Sequence, residues 1–584
     1  MKVSDYIVQF IESQNCRHVF GYIGGAITHL VDSISKSEKL DFIQVYHEQT
    51  ASFAAEGYSR SNEGLGFCMA TSGPGATNLI TGIADAYFDS IPVVFITGQV
   101  NTYEYKYEKP VRQQGFQETD IISIVKPVTK YAVLVEKKEM IRYELEKAIH
   151  ISKSGRPGPV ILDIPMDIQR ADIDPDALCY YEVSGAVDKP EIDWDLIARM
   201  LTVSERPLIL AGGGTSGARG VLLQFAEKYQ IPVVVSLMGK SCFSEDSCLF
   251  TGMIGSYGNR CANIALANSD LVVAIGTRLD TRQTGTNLDS FVRHGKIIHV
   301  DIDPFEIEHS RVKRDYSVPC DAAEFLHAGI LSLDRQSTDR SSWFRYLAEI
   351  KREYSQKKEI ERNVENKTPY ELMAALSAVS DETAVFCVDI GQNQMFSAQG
   401  LDLKKDQLFF TSGGMAPMGY AIPLAVGVSF AQNHTRQVFA IAGDGGFHIS
   451  TQALMLLSQY NLPIKVIVLN NKTLGMIVQF QNLYFDGNEA ATTARGGYLV
   501  PDIGGLASSY SLPYRKVLSA DAGDVSVWRD IFAVNGPMVI EVELNYPTVV
   551  SPKLEVNMPI ENLSPKLSDD EMLRTKFDER KKND

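Results

Sequence analysis

A chain of 584 residues with 45% hydrophobic and 22% charged residues has the composition of a folded enzyme of about three domains, not of a disordered or fibrous protein. Its net charge of −16 argues against non-specific nucleic-acid binding. The eight cysteines are scattered without a CxxC pair, no apolar run reaches membrane-spanning length, and the N-terminus is not signal-like, which together predict a cytoplasmic protein without disulfides or structural zinc.

Residues 1–175 alternate helical and strand patterns. The spacing predicts a helix over 4–13 and strands at 19–22, 42–46, 66–71 and 93–97, a doubly wound parallel sheet. Gly24 and Gly25 follow the first strand, and His47, Glu48 and Gln49 follow the second. A glutamate that opens a helix is most often a solvated charge favoured by the helix dipole. Here an apolar strand precedes Glu48 and the small residues Ala51, Ala54 and Ala55 follow it. That context suggests a carboxyl held against a packed surface, where it exchanges protons readily. Taken alone, Phe116 reads as core and Gln117 as surface.

A polar stretch from 170 to about 190 reads as a linker. A second α/β unit spans 190–335, with strands at 207–210, 232–236, 271–275 and 296–300. Gly212, Gly214 and Gly217 satisfy GxGxxG, but no acidic residue follows at the dinucleotide spacing, and a tight strand–helix turn explains the glycines equally well. Asp301 and Ile302 end the last strand, where an acidic group suits ribose hydroxyls. Residues 312–339 carry little signal, and a charged helix over 342–361 leads onward.

The third unit spans 366–550. A strand at 385–389 ends in Ile390, Gly391, Gln392 and Asn393, and one at 409–411 ends in the loop 412–419. The apolar run 437–442 enters Gly443, Asp444, Gly445 and Gly446. A helix with Leu454, Leu457 and Tyr460 at helical spacing follows, and 464–469 forms the next strand, closed by Asn470 and Asn471. This βαβ unit sets Asp444 and Asn471 at the carboxyl ends of two parallel strands, where open α/β sheets bind ligands. A carboxylate, an amide oxygen and the Thr473 carbonyl are hard ligands suited to Mg²⁺, with phosphate oxygens completing its shell. The glycines allow a diphosphate close to the amides of a helix N-terminus. A GDG alone is an ordinary turn; the Asn-Asn pair, with Asn471 27 residues after Asp444, makes the pattern specific. Residues 551–584 form a charged tail that is expected to fray or pack on the surface from 564 onward.

The GDG…NN unit resembles the thiamine diphosphate motif. FGYIGGAI, HEQTASFAAEGYSR, TSGPGATN, IPVVFITGQV, GFQETDI and GRPGPVILDIP resemble acetolactate synthases (acetohydroxyacid synthases), and the likeness runs through all three thirds of the chain. It implies three consecutive doubly wound parallel-sheet domains: a pyrimidine-binding domain over 1–175, a central FAD-binding-type domain over 190–335, and a diphosphate- and Mg²⁺-binding domain over 366–550. It implies that Glu48 hydrogen-bonds the cofactor's pyrimidine and that Gln99 lies beside the cofactor. Gly25, Phe116 and Gln117 are expected near the reacting carbons, and Met418 as a wedge beneath the thiamine diphosphate. Ile390, Gly391, Gln392, Asn393, Ala416, Gly443, Asp444, Gly445, Gly446, Asn471, Thr473, Gly475 and Met476 surround the cofactor in this reading, with Asp444, Asn471 and Thr473 holding Mg²⁺. Arg156, Gly212, Gly213, Gly214, Leu237, Met238, Arg278, Asp280, Arg282, Asp301 and Ile302 resemble contacts to an FAD that takes no part in the net chemistry.

The expected reaction is decarboxylation of pyruvate and transfer of the two-carbon unit to an acceptor carbonyl, giving 2-acetolactate when the acceptor is a second pyruvate. The resemblance also implies a homodimer or dimer of dimers, with the cofactor between Glu48 of one subunit and Asp444 of the other, and a regulatory subunit. Five positions depart from the family pattern. Asn393 replaces a histidine, Ala416 a glycine, Met166 a lysine, Phe480 a tryptophan and Thr281 an aspartate. They cluster toward the acceptor and the flavin, so a nucleotide-linked keto-sugar is the rival acceptor. A simple 2-oxo acid decarboxylase would not keep the flavin set. A non-catalytic binding subunit would be expected to lose Glu48, Asp444 or Asn471.

Overall fold

The computed structural model describes residues 1–62, 64–183, 191–334 and 338–581. The linker reading falls partly on residues 184–190, outside the described residues. Three six-stranded sheets follow one another along the chain, and every strand pair is parallel. The first holds β1 (His18–Tyr22), β2 (Asp41–Gln44), β3 (Gly66–Ala70), β4 (Val93–Gln99), β5 (Tyr131–Leu134) and β6 (Val160–Pro165) in the order β2-β1-β3-β4-β6-β5. The second holds β7 (Pro207–Ala211), β8 (Val233–Val235), β9 (Phe250–Met253), β10 (Leu271–Ile275), β11 (Lys296–Asp301) and β12 (Tyr316–Pro319) in the order β12-β11-β10-β7-β8-β9. The third holds β13 (Val385–Val388), β14 (Leu408–Phe410), β15 (Val438–Gly443), β16 (Ile464–Asn470), β17 (Tyr514–Val517) and β18 (Met538–Glu543) in the order β14-β13-β15-β16-β18-β17. The central strands β4 and β16 are buried along their whole length, as parallel sheets covered by helices on both faces require.

The first and third domains share one hydrophobic core. Its seam is the helix Glu48–Asn62 against the helix Ala421–Ala431. The two backbones nearly touch: a Cβ on Gly57 would sit 2.2 Å from the Leu424 carbonyl oxygen, and one on Gly427 1.8 Å from that of Ala54. Ala51, Ala54 and Ala55 are fully buried and permit this approach. Their small size therefore serves the domain seam as well as the setting of Glu48.

Several elements differ from the sequence expectation. The helix after Gly446 is three short pieces, Asp444–Ile449, a 3₁₀ turn Thr451–Ala453, and Leu454–Gln459. The low-signal stretch holds β12 and the helix Ala322–Ser332, capped by Asp321. The charged helix breaks at Tyr354, and Ser355 caps its second half, Gln356–Asn363. The tail does not fray as far as residue 581. Leu554, Ile560 and Leu563 pack into the core of the middle domain, and Phe577 is buried against Trp343 and Tyr346. Among the described residues no helix is long and apolar enough to cross a membrane.

Candidate active site

In the third sheet β13 and β15 lie side by side, and the connections leaving them diverge; a crevice opens at that switch point. Asp444 begins a helix at the end of β15 and is almost fully buried. Its Oδ2 accepts the Lys472 N–H at 2.9 Å and its Oδ1 accepts the Tyr498 hydroxyl at 2.5 Å. Burial pushes its carboxyl up to about 6, and the hydrogen bonds from Tyr498 and the surrounding amides offset this only in part. A bound cation would remove that penalty.

Asn471 follows directly on the adjacent strand β16. Its amide nitrogen donates to Thr548 Oγ1 at 2.9 Å and toward Gln392 Oε1 at 3.4 Å. Its Oδ1 accepts the Thr473 N–H at 3.0 Å. The donor end is thus tied down, which leaves the oxygen end for a hard cation. Thr473 Oγ1 is buried without a partner. Among the described residues no cluster of three His, Cys, Asp or Glu could hold a metal. The donor set fits Mg²⁺, which takes few protein ligands beside phosphate and water.

The glycines around these groups let neighbouring side chains approach closely. A Cβ on Gly475 would meet Gln392 Oε1 at 2.1 Å, and one on Gly446 would meet Asp389 Oδ1 at 2.4 Å. One on Gly445 would meet Met418 Cε at 2.9 Å, so Met418 borders the GDGG turn. Gly443 has room, with only Asn393 Oδ1 near, at 3.4 Å. Gly391 takes φ 118°, which favours glycine. Asn393 turns inward and donates to the Asp389 carbonyl at 2.7 Å. Ile390 donates its N–H to Asp389 Oδ1. Met476 sulfur accepts from the Tyr257 hydroxyl of the middle domain. Ala416 adopts φ 56° where the family pattern has glycine.

The first sheet offers the matching crevice between β1 and β3. Glu48 opens its helix nearly buried, and its Oε2 accepts the Asn78 amide at 2.9 Å. Nothing would meet a Cβ on Gly25 within 4 Å, so open space faces it. Gln99 is buried, and its amide donates to the Thr119 carbonyl and to Asp163, each at 2.8 Å. It therefore anchors the segment that carries Phe116 and Gln117. Phe116 is not core: it is 86% exposed, because Glu118 folds its own loop by accepting the N–H groups of Lys106, Gln114 and Gly115 and leaves the ring at the tip. Gln117 adopts φ 61° and packs on Gly73. No hydrogen bond or ion pair joins Glu48 to Asp444 among the described residues.

A second cleft, of about 590 Å³, lies at the carboxyl ends of the middle sheet. Arg156, Gly213, Gly214, Leu237, Met238, Arg278, Asp280, Arg282, Asp301 and Ile302 all line it. Gly212 stands behind them, where a Cβ would be 2.1 Å from the Gly276 carbonyl oxygen. Arg156 pairs with Glu306 and lies 3.6 Å from Asp303, tying the first domain to the second. Asp301 is buried, and burial raises its carboxyl to about 6. Arg278 pairs with Asp280 at 3.4 Å, and Arg282 points toward Gln394 of the third domain at the same distance. The strand order read from the other edge, β9-β8-β7-β10-β11-β12, is that of dinucleotide-binding sheets, and the cleft spans its switch point between β7 and β10.

Asp389, Tyr498, Gln479 and Thr548 contact the expected site residues but stand in no short motif, and Glu118 lies within GFQETDI without being singled out there. Thr548 reaches Asn471 and Gln392 only once β18 is paired beside β16. Four non-glycine residues with positive φ adjoin or belong to the site, Gln117, Leu279, Ala416 and Lys472. At roughly 1–2 kcal/mol each, such strain is tolerated where surrounding structure fixes it.

Family models agree with the three-sheet layout. The thiamine pyrophosphate enzyme N-terminal TPP binding domain matches residues 1–124, the central domain 195–328, and the C-terminal TPP binding domain 389–542. A probable acetolactate synthase large subunit of Methanocaldococcus jannaschii is 35% identical, over 100% of this chain and 98% of its own length. The acetolactate synthase large subunit of Corynebacterium glutamicum is 37% identical over 88% of this chain and 82% of its own. That of Haemophilus influenzae is 34% identical over 93% and 94%.

Proposed function

The chain belongs to the thiamine pyrophosphate enzymes, in the group of the acetolactate synthase large subunits, and we propose that it condenses two molecules of pyruvate to 2-acetolactate and carbon dioxide. One observation carries the site assignment: Asp444, buried at a helix start, accepts the Lys472 N–H, and Asn471, the residue before Lys472, has its amide end tied to Thr548 and Gln392. That arrangement supports Mg²⁺ held by Asp444, Asn471 and the Thr473 carbonyl, with a diphosphate against the amides of Gly445 and Gly446.

Thiamine diphosphate, when bound, supplies the carbanion chemistry of decarboxylation and carbon–carbon bond formation. The chain's own residues do the rest. Glu48 holds or releases a proton at its carboxyl, with Oε2 fixed by Asn78. Met418 and Ala416 shape the wall beside Gly445. Phe116 and Gln117 exclude water from the reacting carbons, and Arg156 offers a fork to a flavin diphosphate or to a substrate carboxylate. FAD fits the second cleft as a structural cofactor. The diphosphate would approach the Gly213–Gly214 turn, and Asp301 would take ribose hydroxyls.

The working form is a homodimer in this reading. The 86%-exposed Phe116 and the exposed Tyr22, Ile23, Tyr46, Ile449 and Met455 support a second copy that covers them. The relatives' designation as large subunits supports a separate regulatory chain. The buried cysteines Cys16, Cys68, Cys242, Cys261 and Cys387 are thiols, which supports a cytoplasmic setting.

The test is product identification. The protein is incubated with thiamine diphosphate, Mg²⁺, FAD and labelled pyruvate, with and without 2-oxobutyrate. Carbon dioxide and 2-acetolactate in equal amounts are expected. Carbon dioxide without acetolactate would overturn the acceptor and direct the assay to nucleotide-linked keto-sugars. No carbon dioxide would overturn the reaction.

A further inference from the structure

The loop 412–418, which carries Ala416 and Met418, is held from outside its own domain. Four charged side chains of the first domain reach its neighbourhood. Glu56 and Arg60 share one face of the helix Glu48–Asn62, and Asp85 and Asp89 share one face of the helix Ile80–Asp89. Asp89 accepts the backbone N–H groups of Gly413 and Gly414, each at 2.8 Å. Arg60 donates to the Thr411 carbonyl at 2.8 Å and to the Tyr420 hydroxyl at 3.2 Å, with its guanidinium over the Phe410 ring.

Asp85 reaches the middle of the loop through one intermediary. Its Oδ1 accepts the Ser412 hydroxyl at 2.5 Å, and Ser412 Oγ accepts the Ala416 N–H at 2.9 Å. A serine hydroxyl has one proton, and a carboxylate only accepts. Asp85 therefore fixes which way Ser412 donates and leaves its lone pair to Ala416, the residue at φ 56°. Glu56 completes the set. It is fully buried, its Oε2 accepts the Tyr420 hydroxyl at 3.0 Å, and it is hydrogen-bonded to Asp85. Glu56 Oε1 and Asp85 Oδ2 have no other donor, so one proton lies between the two carboxyls. Burial raises both carboxyls, Asp85 to about 7, but the hydrogen bonds from Ser412 and Glu56 offset part of this for Asp85, so Glu56 takes the shared proton. At the loop's far end Asp389 accepts the N–H groups of Gly419 and Ala421.

We propose that Asp85, braced by Glu56, is a positioning residue that acts across the domain boundary through Ser412 to hold the Ala416–Met418 wall in its working shape. Neither carboxyl touches substrate or cofactor. The inference rests on the reading of that loop as a wall of the thiamine diphosphate site.

The test uses the full-length protein as Ser412→Ala, Asp85→Ala and Asp85→Asn. The readouts are the Mg²⁺-dependent Kd for thiamine diphosphate, kcat and KM for carbon dioxide release from pyruvate, and Tm. Ser412→Ala and Asp85→Ala are expected to lower kcat about 10- to 100-fold, to weaken cofactor binding, and to move KM less than kcat. Ser412→Ala should keep the parental Tm to within a few degrees. Asp85→Asn still accepts from Ser412 and donates to Glu56 once Glu56 gives up the proton it shared with Asp85, so its kcat should stay within about threefold of the parent. Parental kcat and Kd in Ser412→Ala would overturn the proposal, and so would an Asp85→Asn as impaired as Asp85→Ala. Should Asp85→Ala fail to fold, Ser412→Ala decides alone. If the parent protein releases no carbon dioxide from pyruvate, the proposed reaction has failed, and the Kd comparison then decides the positioning role by itself.

Discussion

The first and third sheets have the same strand order, and the middle sheet has a different one. β2-β1-β3-β4-β6-β5 and β14-β13-β15-β16-β18-β17 superpose as sequences of positions, whereas β9-β8-β7-β10-β11-β12 is the dinucleotide order. The two like sheets nonetheless present opposite chemistry. The first offers Glu48, a carboxyl at a helix start with an Asn78 donor and open space before Gly25. The third offers Asp444, a carboxyl at a helix start that accepts the Lys472 N–H and the Tyr498 hydroxyl, with the Asn471 amide oxygen at the end of the adjacent strand. The difference teaches that strand order sets where a site opens, and that a few loop residues set what it does there.

Substitutions separate the two halves of the comparison. The largest loss is expected from Glu48→Gln, which should reduce turnover by roughly 10²–10⁴-fold while thiamine diphosphate still binds. Turnover and a cofactor titration check it together, and near-parental turnover would remove Glu48 from its role. Asp444→Asn should do the reverse and weaken Mg²⁺-dependent cofactor binding first. A titration curve that matches the parent's would strike Asp444 from the metal site.

The middle sheet should respond separately. Gly214 and Gly276 pack so closely that a Cβ on Gly214 would lie 2.8 Å from the Gly276 Cα. Gly214→Val should force the two turns apart, abolish flavin absorbance in the purified protein, and leave thiamine diphosphate affinity unchanged. Retained flavin would argue against this cleft as the FAD site.

The seam between the outer domains should show in the pH dependence of stability. Glu56 keeps a proton in the folded state that the unfolded chain releases once pH passes the ordinary carboxyl range. Stability therefore falls as pH rises from that range toward the folded value. Asp85, raised to about 7 by burial, adds a fall of the same sign, and Asp89, Arg60 and Tyr420 shift where the fall occurs, not its sign. Glu56→Gln keeps a donor toward Asp85 with no proton to lose. Its Tm should drop less than the parent's between about pH 6 and pH 9, and parallel curves would show that Glu56 does not hold the proton. The smallest effect is expected from Ala416→Gly. Relief of φ 56° and the added freedom of the unfolded chain nearly cancel, so calorimetry should find a stability change of no more than about 1 kcal/mol.

The sequence reveals the outer architecture best where strands are wholly buried. β10 and β15 are continuous apolar runs, and β4 and β16 are largely apolar, broken by Thr97 and Lys465. The edge strands β5, β9, β12 and β17 carry little periodic signal because they are short or half-exposed, and the buried β6 and β18, each interrupted by an acidic residue, do not stand out either. Asp444 and Asn471 stood out because one βαβ unit brings them together over a short span of chain. The apolar side chain of Phe116 by itself points to the core, since nothing in the residue reveals that Glu118 folds its loop outward. Asp85, Ser412 and Thr548 carry no local signal at all. Their partners lie 327 residues away for Asp85–Ser412 and 77 for Thr548–Asn471, and only the packed sheets bring them into contact.

The central claim is that the two like sheets, taken from two copies of the chain, build one site. Glu48→Gln and Asp444→Asn, each nearly inactive, would be mixed under conditions that exchange subunits, and carbon dioxide release from pyruvate measured. Hybrid dimers then contain one site with both substitutions and one with neither. The account predicts recovery to about a quarter of the parental rate. A mixture no more active than the two variants alone would contradict it.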